Sequence, residues 1–344
     1  MAANLDNIEF KKKIIDCYDE HEASFSKSKV SECKFKDNGE LTLCTLKFDK
    51  HVNLEKIPFE SNTIYFLSPH EYLLNNYIKI ATEKVILVGA SDDRTKIIKK
   101  ANKYGVYVEG DHFSMMRINI CEEEGEEYEC PCLEVEANYA NIQYCTFESQ
   151  ATEQEKQHFT VYFHTRNENE KTDAVPMFNR NDLMEGNVFR NNFVRSNGRQ
   201  CDNVSFSLQK CGKVFGNTIE GMLAVFMCKR CDVFKNTIDG GDNHAIFISL
   251  PSKIINIYDN ELTSKEPSSI VIKPQGDNSN KDVQNEDYDI EIKGNTINCE
   301  RWPIEMNYAR NVYIRSNDFS PTLENHKTNG YICLLYTSPS PRDS

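Results

Sequence analysis

The chain has 344 residues, 53 acidic against 40 basic, for a formal charge of −13. That balance argues against a general binder of nucleic-acid backbone, which needs clustered Lys and Arg. No stretch approaches the roughly 20 apolar residues of a membrane span, and the length supports a core without disulfides or metals as staples. The opening, MAANLDNIEFKKK, has no apolar run behind its basic residues, so no secretory leader is read. The 13 cysteines show no framework spacing, and reduced thiols in a cytoplasmic protein are expected.

From the N-terminus, Asp6 and Glu9 have the spacing of a capping box. The helix they open carries Ile8, Ile14, Ile15 and Tyr18 along its apolar side. Residues 1–55 are expected to cap the fold. Residues 62–98 read as short strands separated by turns, and Val106/Val108 and Met116/Ile118/Ile120 continue the alternation.

From residue 141 onward a heptad recurs: NIQYCTF, NVFRNNF, KVFGNTI, DVFKNTI, NIYDNEL, EIKGNTI and YIRSNDF. The second and seventh positions are apolar. The fifth is Asn192, Asn217, Asn236, Asn260, Asn295 and Asn317, with Cys145 in the first copy. The spacings are 47, 25, 19, 24, 35 and 22. The 47 is read as two units, with VYFHT (161–165) marking the middle one. Polar stretches near 121–132, 148–160, 166–185 and 274–289 are read as loop insertions.

Each copy follows a short alternating segment such as Val204/Phe206/Leu208 or Ile270/Ile272, the period of a strand with one buried face. Two or three strands per unit of about 22 residues leave no room for a helix, and a propeller blade needs about 40–45 residues. A single-stranded, right-handed parallel β-helix over residues 56–332 fits. The repeated Asn is expected at a bend, where amides from successive coils form a ladder. Residues 334–344 break the pattern and are set apart as a non-native tail.

Several motifs carry resemblances to β-helix proteins of the pectin-lyase-like type. The "EYL…VGAS" opening (71–91) and the cysteine-bearing coils resemble the intracellular modules of F-box-associated and SHC-binding spindle-type proteins. That resemblance implies a non-catalytic binding module, monomeric, presenting one coil face to a protein or glycan. SPHEY (68–72) superficially resembles the Asp-Pro-His-Asp of alginate epimerases, with Ser68 in place of the first acid, and is read as a structural turn. GNVFRNNFVRSNG (186–198) resembles chondroitinase and alginate lyases. This implies Ca²⁺ and a basic patch of Arg190, Arg195, Arg199 and Lys210, although Gln209-Lys210 stands where that family has Arg-His. DGGDNHAI (239–246) resembles the Gly-Asp-Asp segment of pectin-cleaving hydrolases, with Asn243 at the second acid.

Two functions therefore stay open: a binding module, or a polysaccharide lyase, epimerase or hydrolase. For the enzyme the residues are Asp242, His244, Arg195 and Lys210. For the module, the outward face of the first strand of each coil is read as carrying Tyr162/His164, Val225/Met227, Ile246/Ile248 and Lys273, with no converging acid pair. Cys228-x-x-Cys231 has zinc-like spacing, but Cys211 and Cys231 share a repeat position and are read as stacked buried thiols. No metal or other cofactor is expected outside the lyase resemblance.

Overall fold

The computed structural model describes residues 8–22, 42–44, 53–124, 130–150, 159–165, 182–196, 202–265, 268–274, 287–300, 302–307, 309–321 and 332–335. Their strands wind into a parallel β-helix with three sheets of 13, 10 and 10 strands. Sheet A runs from Thr42–Cys44 to Val312–Arg315, sheet B from Glu71–Leu73 to Asp318–Pro321, and sheet C from Ile78–Ile80 to Ile332–Leu335. Each coil places a strand in A, then B, then C, in the right-handed sense that parallel crossovers take. One continuous apolar core fills the coil interior. Equivalent side chains stack within it: Val214 lies on Val233 and Ile219 on Ile238, in direct register. Such columns arise because the side-chain period is two and a one-residue slip would turn a strand inside out.

The corner between sheets A and B is built on the repeated asparagine. The Asn217 side chain donates to Phe189 O and to Asn236 Oδ1, each at 2.9 Å, and its backbone N–H donates to the same Oδ1 at 3.0 Å. Asn192, Asn236, Asn260 and Asn295 repeat the arrangement, and Asn317 terminates it. Cys145, lacking an amide, joins through its backbone N–H, which donates to Asn192 Oδ1 at 3.0 Å. The left-handed residue is not the asparagine itself, as the bend implied, but the one before it: Asn191, Gly216, Lys235, Asp259, Gly294 and Ser316 all have φ between 51° and 66°. At Gly294 a Cβ would stand 2.6 Å from Asp259 Oδ1 of the preceding coil, so a side chain there would have to displace that carboxylate as well as adopt a positive φ.

The 47-residue interval is one coil, not two. Asn141–Gln143 pairs directly with Val188–Arg190 in sheet A, and Thr146–Ser149 with Phe193–Ser196 in sheet B. Parallel strands at ladder distance leave no room for an intervening turn. Val161–Phe163 is the sheet C strand of this same coil. Insertions lengthen it, and their residues 151–158 and 166–181 lie outside the described set, as do 125–129 and 275–286 of the other two.

At the front, the helix Ile8–Glu22 lays Ile14, Cys17 and Tyr18 on Ile64, Phe66, Ile86, Val88 and Met116. These residues face outward from the first coils of sheet A, so the helix covers what would be an exposed apolar face. Tyr18 Oη donates to Leu67 O at 2.7 Å. Asp6 of the expected capping box lies outside the described residues. The sheets overrun the expected limits at both ends. Thr42–Cys44 pairs with Thr63–Tyr65, and Ile332–Leu335, which takes in the first two residues of the segment set apart as a tail, pairs with Ile304–Asn307.

Asn236→Ala removes two donated and two accepted bonds from a site 1% exposed. It is expected to cost about 2–4 kcal/mol in urea unfolding, because the partner amides stay buried. Loss below about 1 kcal/mol would show that the ladder is not a principal support.

Candidate functional site

The outer face of sheet C carries the densest chemistry. Its register sets Lys79, Tyr107, Glu134, Tyr162, Ser205, Ala224, Phe247, Val271 and Glu305 in one row. A second row, two residues further along each strand, holds Glu136, His164, Phe226 and Lys273 among others. Leu133, Val135 and Ala137 alternate with Glu134 and Glu136, so burying the first set in the core projects both carboxylates outward. His164 follows Phe163 on the adjoining strand and meets them.

His164 Nε2 lies 2.7 Å from Glu134 Oε1 and 3.4 Å from Glu136 Oε1. Its Nδ1 is 3.0 Å from Thr165 O. A carbonyl oxygen only accepts, so Nδ1 carries the proton in that bond. Tyr162 stacks on the imidazole at 4.2 Å, and Phe159 stacks on Tyr162 at 4.7 Å. Tyr107 hydrogen-bonds Glu136 and packs against Tyr104 at 5.7 Å and Tyr77 at 6.2 Å. Lys79 pairs with Glu109 at 2.8 Å and lies over the Tyr107 ring. Burial, opposed in part by His164 and the Tyr107 hydroxyl, holds the Glu136 carboxyl above the usual carboxylate range. Burial and the neighbouring Glu136 carboxyl hold the Tyr107 phenol above its ordinary range, so it stays a donor. A protonated phenol, two carboxylates and an imidazole thus share one centre, equipped for proton transfer or for holding a cation. Among the described residues, Glu134, Glu136 and His164 are the one group of three metal-ligating side chains.

Tyr162, His164 and Lys273 lie on this face as the alternation implied, with Lys273 Nζ 5.5 Å from the Phe247 ring centre. Val225, Ile246 and Ile248 do not. They are at most 1% exposed, inside the coil, while Ala224, Phe226 and Phe247 point outward in their place. In MLAVFM and AIFI nearly every residue is apolar, so a period of two cannot say which set is buried. Met227 stands at the next corner with φ 48°. The sequence expectation of no converging acid pair on this face is corrected by Glu134 and Glu136, whose signal in the sequence is their alternation with Leu133, Val135 and Ala137.

The four residues named for an enzyme do not converge. Arg195 pairs with Glu148 at 2.7 Å on sheet B, and Lys210 with Glu185 at 3.3 Å on sheet A. Asp242 pairs with Lys265 at 3.4 Å in the turn after Thr237–Asp239, and His244 Nδ1 binds Ser268 O at 2.7 Å. Ser68 bonds Tyr72 Oη at 2.7 Å inside the opening turn. Arg190 lies over the Phe215 ring on sheet A, at the head of a stack of Phe215, Phe234 and Tyr258 with 4.7 Å steps.

Cys211 does not stack on Cys231. Its backbone N–H donates to Lys229 O, which puts Gly212 beneath the Cys231 thiol. The Cys228 thiol hydrogen-bonds Cys231, and with burial it pushes that thiol well above its ordinary value. These sulfurs sit in the core as thiols.

No family model matches the chain, and no curated protein matches it. Among solved structures it is similar to two A-modules from Azotobacter vinelandii. That of mannuronan C-5 epimerase AlgE4 has 12% identity and a TM-score of 0.38, over 80% of this chain and 89% of that one. That of AlgE6 has 10% identity and a TM-score of 0.35, over 76% and 91%. It is also similar to the catalytic unit of a GH87 α-1,3-glucanase from Streptomyces thermodiastaticus strain HF3-3, with 10% identity and a TM-score of 0.31 over 90% and 68%. The likeness is one of fold.

The inside-out order at the middle coils has a direct check. Ile248→Ala is expected to cost about 2–4 kcal/mol in urea unfolding, whereas Lys273→Ala is expected to stay within about 0.5 kcal/mol. Equal effects would restore the opposite phase.

Proposed function

We propose that the protein is carbohydrate-active and that a polysaccharide lies along the outer face of sheet C. The centre formed by Tyr107, Glu136, His164 and Glu134 supports this reading, because it is bordered by Tyr77, Tyr104, Tyr162 and Phe247 on the same face. Aromatic rings beside a few placed polar groups are how concave ligand sites combine affinity with orientation. Proton transfer at a sugar carbon or glycosidic oxygen requires a donor and an acceptor within hydrogen-bond reach. Tyr107 supplies the donor, and Glu136, bonded to it, takes up and returns the proton. Glu134, hydrogen-bonded to His164 at 2.7 Å, stands beside it, and two carboxylates are the usual requirement for glycosidic hydrolysis.

A second reading, an interaction module of the F-box-associated or SHC-binding spindle type, draws support from the seclusion of the centre. His164 is 2% and Glu134 7% exposed, and buried structural networks perturb carboxylates as active sites do. In that case the face recognises a glycan or protein without turnover.

A panel of pectate, alginate, chondroitin and neutral glucans separates the two, with unsaturated products followed by ultraviolet absorbance and new reducing ends by colorimetry. Turnover of at least one polymer is expected, falling by about 10²–10³ in Tyr107→Phe with binding retained. Binding without turnover would select the module. Neither binding nor turnover would sink the carbohydrate reading.

A further inference from the structure

Glu134, Glu136 and His164 also have the donor set of a metal site. His164 Nδ1 is committed to the Thr165 carbonyl, which turns Nε2 toward the carboxylates. Nε2 is hydrogen-bonded to Glu134 Oε1 at 2.7 Å and stands 3.4 Å from Glu136 Oε1. The side chains are only 3%, 9% and 15% exposed, so one nitrogen and two carboxylate oxygens converge in a space largely shielded from water.

We propose that Glu134, Glu136 and His164 form a binding site for a first-row divalent transition-metal ion, with zinc or manganese as the fitting cations. A single dipositive ion balances two carboxylates and a neutral imidazole. The three donor atoms lie within 4.8 Å of one another. Ligands bound to one ion at about 2.1 Å stand roughly 3–4 Å apart, so small side-chain rotations close the set. All three residues belong to adjoining strands or their immediate ends, which fixes their backbones before any ion arrives.

The surroundings are those of a ligand set held in place. A ligating histidine characteristically donates its other N–H to a carbonyl, as His164 does to Thr165, and a ligating carboxylate accepts an outer hydrogen bond, as Glu136 does from Tyr107. Tyr162, stacked on the imidazole, fixes its plane. One nitrogen and two carboxylates suit a borderline cation. Calcium, implied by the lyase resemblance, takes six to eight oxygens, and this centre does not supply them. Three protein ligands also leave a coordination position open, as in zinc sites that act on substrates. The site goes beyond the carbohydrate reading and does not require it.

The test uses the full chain, stripped of metal with a chelator and titrated separately with Mn²⁺, Zn²⁺ and Ca²⁺ by calorimetry. Mn²⁺ is also followed by electron paramagnetic resonance, because it has little affinity for the chain's many thiols. One equivalent of Mn²⁺ and of Zn²⁺ is expected to bind more tightly than Ca²⁺. Glu136→Gln and His164→Gln are each expected to weaken binding at least tenfold, and Tyr107→Phe, which removes an outer hydrogen bond, by about tenfold or less. Glu136 is the most open of the three, so its variant is the less disturbing to the fold, as circular dichroism checks. Binding unchanged in a folded Glu136→Gln chain, no binding by the unaltered chain, or loss of binding in Cys228→Ser/Cys231→Ser would each overturn the proposal. No glycan is present in these titrations, so their failure and that of the carbohydrate reading are separate results.

Discussion

From Asn192 to Asn295 each coil turns from sheet A to sheet B on an asparagine amide whose partners lie in the coils before and after it. Asn236 reaches forward to Asn260 and back to the carbonyl of Val214, while accepting from Asn217. Leaving such a group unpaired in the interior costs more than forming the bond gains. Each asparagine therefore forces its neighbours into register, and register decides which residues fill the core and which face water. The columns of Val214 and Val233, and of Ile219 and Ile238, follow from this corner. The meeting of His164 with Glu134 and Glu136, 30 and 28 residues earlier, lies in the coils before the ladder and rests on the parallel pairing of Leu133–Val135 with Val161–Phe163.

The β-helix was legible because its supporting residues repeat. Asn at the fifth position and aliphatic or aromatic residues at the second and seventh recur whatever the length of chain between them. Loop length is free to vary because it adds little closure entropy once the corners are pinned. That freedom misled the count at 145–192, where two insertions doubled a single coil. The helix Ile8–Glu22 was legible too, from the side that now covers Ile64, Phe66 and Met116.

The candidate site was less legible, for two physical reasons. Where both faces of a strand are buried, as at Met222–Phe226, alternation vanishes: Leu223 and Val225 enter the main core while Met222, Ala224 and Phe226 pack in a satellite outside it. Where alternation is clean, as at Leu133-Glu-Val-Glu-Ala, the chemistry comes from three residues on two strands, and nothing in a single repeat marks them as partners. Residues that looked reactive by local motif, such as Asp242 and His244, are tied into turns. A site built across coils is written in no one stretch of sequence.

The position of that centre along the axis matters as much as its contents. Among the described residues sheet C has ten strands, which at about 4.8 Å per step span on the order of 43 Å. The carboxylates stand on the third strand and the histidine at the end of the fourth, so two strands precede the centre and six follow it. A chain molecule laid across these ten strands would be gripped unequally, with a short arm toward Ile78–Ile80 and a long one toward Ile332–Leu335. The fold thereby gives a periodic surface a direction, and a symmetric-looking solenoid a front and a back.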